Sequence, residues 1–279
     1  MKHPKTILIT GASSGIGKAL AVQYAAPGVV LLLVGRNLNN LDSVAGACRD
    51  AGAKVYTQSV DVRSAGELSA WITLQDVENP IDLVIANAGV TSGTSVAHPV
   101  EPAEATRIVV SSNLIGVINT VAPCVAPMRA RRRGQFALMG SLAGMRGLAY
   151  SPGYCASKAG IRAYAQALRS GLRKYGIEVN LISPGFVDTP LDNSIASPKP
   201  FKMSAERASR IIRKGLARNR AQIAFPLPLY LGIKFLNLLP NVMADWLLEL
   251  KPVDVPLASE CETARSTGNN VRPSGEPLA

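Results

Sequence analysis

Between residue 5 and about residue 183 the chain alternates short apolar runs with longer segments of 3.6-residue periodicity, and no other feature restricts its fold so strongly. The runs TILIT (6–10), VVLLLV (29–34), KVYTQSV (54–60), DLVIAN (82–87), QFALMGS (135–141) and EVNLIS (178–183) have the length of strands. Segments 15–26, 38–51, 64–77, 103–126 and 153–175 have the length of helices. Strands that are apolar on both faces and joined through helices belong to a parallel sheet covered on both sides. The expectation is an α/β fold with a doubly wound parallel sheet, held in one domain spanning 1–225. Ligands of such sheets lie beyond the carboxyl ends of the strands, so the residues that follow each strand are the informative ones. Here they are Gly11, Arg36, Asp61, Asn87, Ser141 and Pro184.

After residue 190 the alternation stops. The stretch SIASPKPFKMS leads to a basic helix predicted over about 204–219, then AQIAFP, then an apolar helical extension over 226–250, LPLYLGIKFLNLLPNVMADWLLEL. From Lys251 proline, serine, glycine and asparagine dominate without periodicity, so 251–279 reads as a disordered tail.

Composition narrows the partners. With 47% hydrophobic and 18% charged residues the chain is a globular protein. Its net charge of +11 invites nucleic acid, but no zinc-finger or RNP pattern occurs and only 5% of residues are aromatic, so no nucleic-acid partner is expected. Cys48, Cys124, Cys155 and Cys261 lie far apart with neither disulfide-framework nor zinc-site spacing, which predicts reduced thiols, no metal and a cytoplasmic setting.

The first strand runs into TGASSGIG, which fits two chemistries. Gly11, Ser13 and Gly15 spell G-x-S-x-G, the turn that exposes a serine nucleophile. That reading needs a histidine late in the chain, and only His3 and His98 exist; His98, before Pro99, reads as a loop residue. Gly11, Gly15 and Gly17 instead suit a strand-to-helix turn whose backbone amides receive a phosphate, with Ser13, Ser14 and Ile16 between them.

Further residues then fall into an ordered set: TGASSGIG at 10–17, NAG at 87–89, Asn113, Ser141, YCASK at 154–158 and PGFVDT at 184–189. Over roughly residues 4–225 the chain resembles the short-chain dehydrogenase/reductase family. The resemblance implies a Rossmann-like fold, a nicotinamide cofactor, a small carbonyl or alcohol substrate, and a catalytic set of Asn113, Ser141, Tyr154 and Lys158. Tyr154 and Lys158 are one helical turn apart, and a neighbouring ammonium is expected to lower the phenol's pKa and make it a proton donor or acceptor. Ser141 can hydrogen-bond a carbonyl oxygen as charge develops on it. By resemblance, Lys158 also holds the nicotinamide ribose and Asn113 supports Lys158 through water. Asp61 and Val62 fall by the adenine, Asn87, Ala88 and Gly89 on the adenine-ribose side, and Pro184, Gly185, Val187 and Thr189 against the nicotinamide. The second strand ends in VGRN, with Gly35 where an acid would repel a 2′-phosphate and Arg36 able to pair with one, so NADP(H) is favoured over NAD(H).

Two alternatives to a reductase share the same framework: a dinucleotide-binding regulatory or scaffold protein, and an isomerase or dehydratase. Many bacterial relatives close on a glycine-rich VDGG strand that builds a tetramer; this chain does not. Arg207, Arg210, Arg213, Lys214 and Arg218 make 204–219 basic and amphipathic, and 204–250 is open to three roles: docking at a membrane surface, a substrate lid or a homodimer interface. The Arg129, Arg131, Arg132 and Arg133 cluster reads as a solvated helix end. The surfaces at 91–98, 142–153 and 190–205 carry few charges, which points to an apolar ketone or alcohol.

Overall fold

The computed structural model describes residues 1, 3–94, 99–196, 198–248, 255 and 257. Along the chain these form β1 (Thr6–Thr10), α1 (Gly15–Tyr24), β2 (Val30–Gly35), α2 (Leu38–Asp50), β3 (Lys54–Ser59), α3 (Ala65–Glu78), β4 (Leu83–Ala86) and α4 (Ala103–Val110). Then follow α5 (Gly116–Arg131), β5 (Gly134–Met139), α6 (Pro152–Leu172), β6 (Ile177–Pro184), β7 (Val187–Asp188), α7 (Pro190–Asn193), β8 (Met203–Ser204), α8 (Ala205–Ala217), β9 (Gln222–Phe225), α9 (Leu227–Leu236) and α10 (Asn241–Leu248). The result is a single Rossmann-like α/β domain with a C-terminal apolar helical region.

Seven parallel strands in the order β3-β2-β1-β4-β5-β6-β9 make the sheet. Alternate side chains of each strand face opposite layers. Ile7, Ile9, Leu31 and Leu33 pack with Leu20 of α1, Leu41 of α2 and Ile212 of α8 on one side. Leu8, Leu32 and Val84 pack with Ile72 of α3, Val121 of α5 and Ile161 of α6 on the other. Strand order reverses between β1 and β4, and the crevice beyond their carboxyl ends is where such folds bind ligands.

All six expected strands form, with β1 at its expected bounds and the other ends within two residues of theirs. The seventh, β9, falls in AQIAFP and was not read as a strand, because it is only 4 residues long and lies beyond the periodic region. The helix expected over 103–126 continues to Arg131 and is interrupted by one π-helical turn, Ser111–Ile115. By length and composition Ala103–Arg131 could cross a membrane, but its Val117, Val121, Cys124 and Met128 lie in the core.

The arginine cluster is the solvated end of α5 that the sequence suggests, with Arg129, Arg131, Arg132 and Arg133 all exposed, and it also finds partners. Arg131 is bidentate to Asp76 at 2.7 and 2.8 Å, Arg133 pairs with Asp82 at 3.1 Å, and Arg129 stacks over the Tyr175 ring at 4.2 Å. The basic helix forms as α8, but Ala208, Ile212 and Leu216 are packed in the core, so only its cationic side faces solvent. In the segment read as a disordered tail, Val255 and Leu257 are buried, and the Val255 amide donates to Thr94 O at 2.9 Å; the rest lies outside the described residues, as do His98 and Cys261.

Candidate active site

The glycine turn is built by three separate constraints. Gly11 (φ +65°) and Gly15 (φ +53°) adopt left-handed backbone that favours glycine. At Gly17 a Cβ would lie 2.2 Å from Gly11 O, so α1 can approach β1 only without a side chain there. Asn87 clamps the turn from β4: its Nδ2 donates to Thr10 O at 3.0 Å and Gly11 O at 3.2 Å, while Thr10 Oγ1 accepts from the amides of Asn87 and Ala88. Ser14 occupies the N-cap of α1 with no side-chain capping bond, so the first amides of this helix remain available to an anion.

At the next strand end, Arg36 follows Gly35, whose missing side chain leaves room for Ser13 at 3.3 Å. Arg36 Nη1 lies 3.6 Å from Asp61 Oδ2, and Arg63 Nη2 bonds the same oxygen at 2.8 Å. Burial raises the Asp61 carboxyl, but the hydrogen bonds and charge of Arg63, with Arg36 beside it, outweigh that and hold it below the usual carboxylate range.

Asn113 is fully buried in the π-helical turn. Its Oδ1 accepts from Val90 N at 2.8 Å, and its Nδ2 donates to Val90 O at 3.0 Å and Ser157 Oγ at 3.1 Å. It therefore fixes the loop after β4 to α6. Lys158, also buried, donates through Nζ to Met139 O at 2.8 Å. Gly89 lies between the two: a Cβ there would be 2.9 Å from Asn113 Oδ1 and 3.7 Å from Lys158 Nζ.

Tyr154 stands one turn before Lys158 on α6, with Lys158 Nζ 5.6 Å from its ring centroid, and it lines the same cleft as Ser141. Ser141 Oγ accepts from Ala143 N at 3.1 Å, which fixes the serine at the end of β5. Against the expectation that the ammonium lowers the phenol, burial pushes Tyr154 up to about 12, with the Ser141 hydroxyl pulling it down and Cys155 and Asp192 pushing it further up. Burial likewise pushes Lys158 down to about 8. Both groups lie on the same cleft, Lys158 buried and Tyr154 half-buried, and removing water disfavours the charged form of each.

A single cleft of about 1550 Å³ joins these parts. Gly11, Ser13, Ser14, Gly15, Ile16, Arg36, Asp61, Val62, Asn87, Ala88 and Gly89 line one end of it. Ser141, Tyr154, Lys158, Pro184, Gly185, Val187 and Thr189 line the middle. Gly17 and Asn113 stand behind its wall and shape it. The far end is walled by α9 through Leu229, Ile233 and Leu236. The sequence profile of the short chain dehydrogenase family matches residues 5–200.

The chain belongs to the short chain dehydrogenase family.

Relatives agree with that membership. An uncharacterized oxidoreductase of Myxococcus xanthus is 37% identical over 242 residues, covering 86% of this chain and 95% of the relative. The ketoacyl reductase HetN of a Nostoc species is 31% identical over 209 residues, covering 73% and 72%. A short-chain dehydrogenase from Sphingobium yanoikuyae, solved in complex with NADPH, superposes with a TM-score of 0.73 at 23% identity over 98% of both chains, which is a likeness of fold. This short chain dehydrogenase is an NAD(P)-dependent oxidoreductase acting on small carbonyl or alcohol substrates. The open α1 amides and the side-chain-free approach at Gly11 and Gly15 fit a dinucleotide pyrophosphate.

Several residues of the dehydrogenase site were not singled out in the sequence. Glu101, buried, accepts from Gly153 N at 2.7 Å and so caps the helix that carries Tyr154. Asp192 is buried on the cleft wall, 3.7 Å from Lys199 Nζ, and its Oδ2 has no hydrogen-bond partner. Arg146 pairs with Asp245 at 2.6 Å, and Asn237 Nδ2 donates to Met145 O at 2.9 Å, tying α9 and α10 to the loop after β5. Apart from Asp192 and Lys199, these contacts join residues 52 to 99 positions apart, and no local spacing in the sequence marks them.

Proposed function

We propose that the chain reduces an apolar ketone with NADPH, Tyr154 donating the proton to the carbonyl oxygen, Ser141 hydrogen-bonding that oxygen, and Lys158 holding the nicotinamide ribose. A bound nicotinamide supplies the hydride. The observation that carries this reading is the placement of Tyr154 and Ser141 on one cleft that also contains the buried Lys158, one turn from Tyr154 and 5.6 Å from its ring. A phenol pushed up to about 12 is held protonated at neutral pH, as a proton donor must be. In this reading Asn113 acts by holding Val90 and Ser157, and so the walls around Lys158.

Apolarity of the substrate is supported by the cleft lining, which includes Leu142, Leu148, Ile195, Phe201, Leu229 and Ile233. The name of the Nostoc relative, a ketoacyl reductase, supports a ketone. Of the three roles open for 226–250, the presence of α9 in the cleft wall supports a substrate lid. NADPH is favoured because Gly35 puts no carboxylate at the end of β2, while Asp61 is already engaged by Arg63 and Arg36.

The test is reduction of a panel of ketones by the purified chain. Tyr154→Phe should lower kcat/KM about 10²-fold or more with NADPH binding retained. Unchanged turnover would overturn the assignment. The ratio of kcat/KM with NADPH to that with NADH should exceed one and fall in Arg36→Ala; a ratio below one removes the cofactor preference.

A further inference from the structure

The helices α9 and α10 have two apolar faces, and only one is used by the fold. The inner face walls the cleft through Leu229, Ile233 and Leu236. The outer face carries Leu231, Leu238, Val242, Met243 and Trp246 to solvent, with Leu238 and Val242 each 82% exposed. Phe235 and Leu247 belong to both: they line the cleft and are exposed. The substrate end of the cleft therefore reaches the surface inside an apolar patch. No residue of α9 is buried; the arm is held by Ala244 of α10, which is buried, and by two tethers, Asn237 to Met145 and Asp245 to Arg146.

We propose that this outer face docks on the surface of a lipid bilayer containing anionic lipid, and that the substrate reaches the cleft from the acyl-chain region past Phe235 and Leu247. The second half rests on the apolar-ketone reading above, and it makes the substrate class a bilayer-dissolved, long-chain carbonyl compound. Charge complementarity favours this occupant. The chain carries a net charge of +11, and α8 presents Arg207, Arg210, Arg213, Lys214 and Arg218 to solvent, so an anionic surface attracts it. The patch itself mixes aliphatic side chains with Trp246, Tyr230 and Lys234, whose ammonium lies 5.1 Å from the Tyr230 ring centroid; such residues suit the headgroup boundary. At 10 and 8 residues, α9 and α10 are about 15 and 12 Å long, against a hydrocarbon core of about 30 Å, so they lie in the interface and do not span it. A second copy of the chain seated on the patch would cover Phe235 and Leu247 and close the mouth of the cleft. A fluid bilayer covers the patch and leaves that mouth supplied.

The experiment uses the full chain with phosphatidylcholine vesicles, with and without phosphatidylglycerol, and the triple variant Leu238→Ser, Val242→Ser, Trp246→Ser, none of whose positions lines the cleft. The wild-type chain should sediment with the anionic vesicles, and the variant should partition at least about tenfold less. The variant should reduce a water-soluble ketone at the wild-type rate but a vesicle-dissolved long-chain ketone more slowly. Equal partition of the two proteins, or none by the wild type, overturns docking. A wild-type dimer that the variant converts to monomer overturns it in favour of a second copy. Vesicle binding that depends on the three residues, with no reduction of either ketone, supports docking and overturns the substrate route.

Discussion

Lys158 donates to the carbonyl oxygen of Met139 at 2.8 Å, a backbone partner that gives its buried ammonium a hydrogen bond but no counter-charge. Burial lowers its pKa from 10.5 to about 8. Between those values the unfolded chain holds a proton that the native chain lacks, so stability rises with pH through that window and the charge is most destabilising below about pH 8. Lys158→Met should therefore raise Tm at pH 7 while abolishing turnover. The shift corresponds to on the order of 3 kcal/mol. Scanning the Tm of both proteins against pH checks this: the difference should shrink between about pH 8 and 10.5, and a variant less stable at pH 7 contradicts it.

Asp192 lines the same cleft as Tyr154, and its negative charge, like that of Cys155, disfavours a phenolate there. Asp192→Asn removes a negative charge and leaves the Lys199 and Lys202 cations without that neighbour. The phenolate becomes easier to form, so Tyr154 should titrate at lower pH. In the direction of alcohol oxidation, where the proposed mechanism has Tyr154 take a proton, the rising limb of the kcat/KM profile should move to lower pH. A limb that stays in place or moves up would show the two groups to be uncoupled.

Glycines test the turn against ordinary helix propensity. Gly17→Ala places a methyl 2.2 Å from a backbone oxygen, which cannot swing away as a side chain could. Dinucleotide binding should be lost, with several kcal/mol of stability. Gly46→Ala, on α2 with nothing within 4 Å of the new methyl, should gain about 0.5–1 kcal/mol. Calorimetry on both, with a cofactor titration, separates the outcomes; tolerance of alanine at 17 would remove the close approach from the account.

What the sequence made legible was local. Strands such as β2 declare themselves because VLLLV is apolar on both faces, and the Gly11–Gly17 turn does so because its spacing meets a strand end. Whatever depends on residues distant along the chain stayed hidden. Glu101 and Gly153 meet across 52 positions, and Arg131 finds Asp76 across 55. The rise of Tyr154 follows from burial, which its own neighbours Gly153 and Cys155 do not announce. The apolar stretch after residue 226 was visible as apolar, but periodicity could not say that one face would wall the cleft.

That wall offers the last prediction. Arg146, mostly buried, meets the exposed Asp245 at 2.6 Å, and this pair with the Asn237 bond to Met145 fastens α9 and α10 over the end of the cleft proposed to take the substrate. Hydrogen bonds between charged groups are the stronger kind, and one end of this pair is shielded from solvent. Arg146→Ala should loosen the wall and raise KM for a bulky apolar ketone by up to about tenfold, with kcat changed less, because Tyr154 and Ser141 are held by α6 and β5 and not by α10. Asp245→Ala should do the same, and the double variant should be no worse than either single one, since both remove one interaction. Additive losses would mean that Arg146 acts on the substrate directly, from its place on the cleft wall, and the tether would then be incidental to binding.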